Sequence, residues 1–186
     1  MLEELFKKFL ALSEEMRKGY ISSLGKSDND YLQKLGDTKI ELLKIIYKNV
    51  SGTHYEIEDQ KYMDFLPGFL LIHIDEYTKQ KDNLSKIIGK GGSSFFPILV
   101  NYSSDYYAIK ASATGDDLGI FMINHDESEQ ILVYKSAKYF LETICANYTE
   151  KVYDLDDDDY LNMDFDKEYE IARSINPGIS FWEDEE

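Results

Sequence analysis

Residues 95–134 read FFPILVNYSSDYYAIKASATGDDLGIFMINHDESEQILVY, and this stretch decides the fold. Phe95–Asn101, Tyr106–Ala113, Gly119–His125 and Gln130–Tyr134 are rich in β-branched and aromatic side chains, which suit a pleated, half-buried surface. Only short polar connectors separate them: Tyr102-Ser103-Ser104, Thr114-Gly115-Asp116-Asp117 and Asp126-Glu127-Ser128-Glu129. A parallel crossover needs a dozen residues or more, so connectors this short join antiparallel neighbours. The stretch predicts a β-meander.

Upstream, Phe69-Leu70-Leu71-Ile72-His73 suits one further buried strand, and Asp75 then caps a helix carrying Tyr77, Leu84 and Ile88 that ends at Gly89. Leu2, Leu5, Phe6, Phe9, Leu12 and Met16 recur at helical spacing and predict an amphipathic helix over the first 17 or so residues. Gly19 to Gly36 is polar and reads as a loop. Thr38 and Glu41 stand at capping-box spacing before the stripe Leu42, Leu43, Ile46, Tyr47 and Val50, with Gly52 as the stop. Downstream, Ser136 caps a long helix with Ala137, Phe140, Leu141, Ile144 and Tyr148 on one face. An aspartate run, Asp154–Asp159, precedes a shorter helix around Asp166–Ser174 that Asn176-Pro177-Gly178 halts. The whole predicts a single α+β domain whose central, mostly antiparallel sheet is wrapped by helices. Residues 1–36 form an N-terminal helix and loop, 37–153 the main domain, and 154–186 an acidic extension packed on it.

The chain has 186 residues, 36 acids against 20 bases, and a net charge of −16. Residues 151–186 hold 13 of the acids and three bases. Such a field repels phosphate backbones and anionic membranes; it suits a basic protein as partner, or serves only to maintain solubility. The lone Cys145 has no internal disulfide partner, and the acidic start Met1-Leu2-Glu3-Glu4-Leu5 is unlike a signal peptide. No apolar run reaches bilayer-spanning length. These features predict a cytoplasmic protein.

No motif supplies a catalytic mechanism, a cofactor or a metal site, so the expectation is a protein without catalysis of its own. Ile87-Ile88-Gly89-Lys90-Gly91-Gly92 mimics the backbone-clamping loop of KH modules but leads into a strand where that loop needs a helix. His54-x-Glu56-x-Glu58 has three donors without a second half, and His73 and His125 belong to no ligand spacing. The aspartate run mimics a calcium loop but has Asp159 where glycine is needed and Phe165 where glutamate is needed. Cys145, inside an amphipathic helix with no base beside it, reads as a buried structural thiol.

The order of elements from about Thr38 to Tyr148 resembles the SUKH superfamily. The resemblance rests on the helix Leu43-Lys44-Ile45-Ile46-Tyr47-Lys48-Asn49-Val50-Ser51-Gly52 and the turn Phe65-Leu66-Pro67-Gly68 before Phe69-Leu70-Leu71-Ile72. It continues through Phe96-Pro97-Ile98, Ser104-Asp105-Tyr106-Tyr107-Ala108-Ile109, the hairpin Gly119–Asp126 and the closing helix with Tyr139-Phe140-Leu141. The sequence departs from the family pattern at Ser51, Ser104 and Phe140.

The resemblance implies an immunity protein that binds a cognate, basic, nuclease-type toxin and neutralises it by stoichiometric occlusion. The alternative is a regulatory module of the same family with an endogenous partner. Tyr102, Tyr106 and Tyr107, near one loop end of the meander, are candidate aromatic anchors, with ordinary sheet packing as the competing reading. Asp105, Asp116, Asp117, Asp154, Asp156, Asp157, Asp158 and Asp159 are candidate acidic contacts, although Asp116 and Asp117 are also ordinary turn residues.

Overall fold

The computed structural model describes residues 1–183 except Asp28, Asp37 and Ser128; the loop, turn and C-terminal readings that touch those residues and 184–186 lie outside it. The apolar runs pair in chain order as one antiparallel sheet: β1 (Leu70–Leu71), β2 (Phe95–Val100), β3 (Tyr106–Ala111), β4 (Asp117–Ile123) and β5 (Gln130–Tyr134). The meander is β2 to β5. Its register breaks between Pro97 and Leu99, where proline has no N–H to give the ladder. Tyr106 and Tyr107 then alternate across the sheet, so one faces α5 (Tyr77–Ile88) and the other the opposite layer.

That opposite layer is α6 (Ala137–Thr149), backed by α1 (Leu2–Met16). Phe6, Phe9, Phe140, Leu141 and Ile144 are fully buried, and the tilted rings of Phe9 and Phe65 have centroids 4.3 Å apart. Burying each such side chain contributes roughly 1.5–3 kcal/mol. The first helix is thus core.

Other expectations need correction. The predicted loop from Gly19 to Gly36 holds two short helices, α2 (Tyr20–Ser23) and α3 (Tyr31–Leu35), pinned by buried Tyr20, Leu24 and Leu35. Tyr20 lies under the buried Arg17, whose guanidinium sits 3.8 Å from the ring centroid. Arg17 donates to the Asp64 and Lys61 carbonyls and to the Tyr148 hydroxyl, tying α1 to the 60–64 turn and α6.

The Thr38–Glu41 capping box does not form. Helix α4 (Glu41–Asn49) starts after Ile40, and the Thr38 hydroxyl accepts from the Ile40 amide instead. Nor does Asp75 cap α5: its amide donates to His73 Nδ1 in a 3₁₀ turn that precedes the helix. Strand β1 has two residues in place of five because Ile74 turns away to bond the Ser51 carbonyl. Gly52, in the left-handed region at φ +107°, permits this junction; a Cβ there would stand 2.5 Å from the Ile72 carbonyl oxygen.

The acidic C-terminal part is a second, two-stranded sheet, β6 (Tyr153–Leu155) and β7 (Leu161–Met163), followed by α7 (Phe165–Ile175). The expected boundary between residues 153 and 154 therefore falls inside β6. No helix among the described residues is long and apolar enough to cross a membrane.

Candidate functional site

The meander has two ends, and the candidate residues divide between them. At one end the β2–β3 and β4–β5 turns meet through Asp105. Its carboxylate accepts from Asn101 Nδ2 at 2.8 Å, the His125 amide at 3.0 Å and the His125 ring at 2.8 Å. Partial burial would raise the Asp105 pKa, but these donors outweigh it and hold it below the usual carboxylate range. The same contact raises the His125 pKa. Tyr102 projects from the first turn with 72% of its surface exposed. Its pKa is raised, first by partial burial and then by the charges of Asp64, Tyr160 and Tyr55.

Tyr106 is a core residue: it is buried, with its hydroxyl donating to Gln80 Oε1 at 2.7 Å, and offers a partner no surface. Asp116 and Asp117 lie at the opposite end. Asp116 accepts from Ser112 and Thr114 within its turn, and Asp117 accepts the Ala137 amide at 2.6 Å, helping to cap α6. Their local bonds account for them.

The aspartate run is the tip of the β6–β7 hairpin. Asp156 Oδ1 accepts from the amides of Asp158 and Tyr160, and Asp159 adopts φ +65°, so the first carboxylate builds the turn. Asp157, Asp158 and Asp159 are exposed, as is Asp154 on β6. The hairpin stays on the domain because Tyr153 and Leu161 are buried while Asp154 and Asn162 face outward.

Past the hairpin, Asp164 caps α7 by accepting the Lys167 amide, and its carboxylate pairs with Lys167 Nζ at 2.9 Å. The helix then forms one wall of a groove of about 410 Å³. Phe165, Glu168 and Tyr169 line it from α7, Tyr107 and Tyr134 from the sheet, and Trp182 from the C-terminal turn. Rings meet at 4.7 Å (Phe69–Tyr107), 6.3 Å (Tyr107–Tyr134) and 6.0 Å (Tyr134–Trp182), and the Trp182 indole is fixed by donating to the Val133 carbonyl at 2.7 Å. Phe165, at the rim, is 70% exposed.

Glu168 is the polar centre of this groove. Burial raises its carboxyl pKa to about 7, against the opposing pull of its hydrogen bond from Asn147 Nδ2. Its charge is felt at the Tyr107, Tyr134 and Tyr153 phenols, whose pKa values are raised, chiefly by burial.

Comparison with protein-family models and with curated proteins gives no match. The site must be read from its own geometry.

The structure thus places Tyr102 and Asp105 at one end of the meander and Asp116 and Asp117 at the other, the aspartate run on the β6–β7 hairpin, and Tyr107 in the groove that Met163 of that hairpin also lines. Sequence reasoning missed Phe165, Glu168 and Trp182. A signal for Glu168 was present: it occupies a position in the stripe Phe165, Glu168, Tyr169, Ala172, where an acid on the packed side of a helix is costly without a purpose.

Cys145 is buried, and burial pushes its thiol up to about 11, away from the reactive thiolate. The His54 and His73 rings lie 4.3 Å apart, but no group of three or more metal-ligating side chains occurs among the described residues.

Proposed function

We propose that this chain is a binding protein that occludes a basic protein partner, in the manner of the immunity proteins it resembles. The observation that carries this reading is an exposed acidic hairpin that borders an aromatic groove. The β6–β7 hairpin exposes the carboxylates Asp154, Asp157, Asp158 and Asp159 together with Tyr160, and Met163 of its second strand and Phe165 just beyond line the aromatic groove. Carboxylates of one sign steer a basic surface and speed encounter, while aromatic side chains supply short-range affinity once water is expelled. A nuclease-type toxin suits such a face, because a surface that holds phosphates is itself basic.

The test is the complex. The immobilised full chain, loaded with extract from its own source, is expected to retain a basic protein, and the recombinant pair to form a complex of fixed stoichiometry in calorimetry. Retention only of acidic proteins, or a complex indifferent to Asp157→Asn/Asp158→Asn, would overturn the reading.

A further inference from the structure

The groove beside the hairpin combines two properties that generic protein-binding surfaces lack: walls of aromatic faces and a carboxylate set within them. Among the described residues the Glu168 carboxylate receives one hydrogen bond, from Asn147 Nδ2. Asn147 is fully buried and divides that amide between Glu168 and the Tyr153 hydroxyl, while its own Oδ1 has no partner. Glu168 thus keeps acceptor capacity that Asn147 does not fill. A lysine ammonium brings three N–H donors and an arginine guanidinium five, with no acceptor of their own.

The walls favour the same kind of group. Aromatic faces attract a cation electrostatically, most strongly where water is excluded. Tyr107, Tyr134, Tyr169 and Trp182 line the space around Glu168, and the apolar Leu66, Pro67 and Met163 suit an alkyl stem. The other carboxylate lining the groove, Asp166, adds charge of the same sign, and among the described residues no lysine or arginine lines it.

We propose that this groove is the receptor for a single cationic side chain, lysine or arginine, presented by the partner, with Glu168 as its counter-charge and the tyrosine and tryptophan rings as its walls. The inference rests on the binding-protein reading for the source of the side chain, but not for the chemistry of the site. An arriving cation stabilises the ionised carboxylate, so binding strengthens as pH rises from 6 to 8 and releases a proton. The groups facing Glu168 are Tyr107 from β3, Tyr134 from β5, Tyr153 from β6, and Asp166 and Tyr169 from α7, with neutral Asn147 from α6; the phenols of Tyr107, Tyr134 and Tyr153 have raised pKa values and stay neutral over this range.

Trp182 is the only tryptophan in the chain, so its fluorescence reads the groove directly. The probes are N-acetyl-arginine methylamide and N-acetyl-lysine methylamide, with N-acetyl-norleucine methylamide as the uncharged control, titrated into the full-length protein at pH 6 and 8. The expected result is a saturable change for the two cations and none for norleucine. It is tighter at pH 8 and weakened roughly tenfold by Glu168→Gln. Phe165→Ala, at an exposed rim position that folding does not need, is expected to weaken the cations as well.

Equal binding of norleucine, binding unchanged in both Glu168→Gln and Phe165→Ala, or no saturable response to either cation would overturn the proposal. A basic partner that still binds in the last case would leave the binding-protein reading standing. Cation binding without any basic protein partner would keep the groove and remove that reading.

Discussion

Asn147 Nδ2 donates to the Tyr153 hydroxyl at 3.0 Å and to Glu168 Oε1 at 3.3 Å, and so ties α6, β6 and α7 together at one buried amide. The acidic C-terminal part is thereby built into the domain. The groove carboxylate is held in place by the same contact that locks the hairpin to the closing helix.

Glu168 makes stability depend on pH in a defined direction. Its pKa rises from 4.5 to about 7 on folding. Below 4.5 the group is neutral in the folded and unfolded chains and has no effect. Between 4.5 and 7 the unfolded chain ionises first, so stability falls, and above 7 the full cost is present. Glu168→Gln is expected to gain up to roughly 3 kcal/mol at pH 8 relative to its effect at pH 4. Thermal melts of both proteins at the two pH values check this; the same difference at both would contradict it.

Within the aspartate run, Asp156 and its neighbours have different roles. Asp156→Ala removes the acceptor for two turn amides and is expected to cost about 1 kcal/mol. Asp157→Asn and Asp158→Asn are expected to stay within about 0.5 kcal/mol of the parent. Urea unfolding separates the two classes, and equal costs at all three positions would refute the assignment.

At the far end of the meander, Asp117→Ala leaves the Ala137 amide at the start of α6 without its carboxylate acceptor. A loss of about 1 kcal/mol in stability with unaltered partner affinity is expected. Reduced affinity in a folded Asp117→Ala protein would place the partner surface at this end instead.

The Asp105–His125 contact has its own pH signature. The raised His125 pKa means its contribution is complete below the unfolded value of 6.5 and is lost as pH rises through the folded value. The lowered Asp105 pKa means the opposite limit, with the contribution lost as pH falls through the folded value. NMR titration of the His125 ring is expected to show a pKa above 6.5 in the parent that drops in Asp105→Asn. An unshifted titration would contradict the pairing.

Much of the fold was legible because the meander is punctuated so clearly. Polar connectors of a few residues leave antiparallel pairing as the economical solution, and Ser136 does cap α6 as its position suggests. The helix starts at Thr38 and Asp75 misled because a capping side chain acts through geometry that spacing alone does not encode: α4 follows Ile40 without a side-chain cap, and His73 caps the 3₁₀ turn ahead of α5.

The hairpin was hidden by its own charge. Tyr153, Leu155, Leu161 and Met163 alternate as strand residues should, but the aspartates between them read as a solvated run. Glu168 was missed for a related reason: among so many carboxylates, burial is what distinguishes one, and burial is set by Tyr107, Tyr134 and Trp182, which arrive from distant parts of the chain.

The most direct test of the central claim is growth of cells that express the captured basic partner together with this chain. The account predicts that the parent protein and Asp116→Asn restore growth, while a variant combining Asp157→Asn, Asp158→Asn and Phe165→Ala, folded but altered on the proposed face, does not. Equal rescue by that variant, or no rescue by the parent, would contradict it.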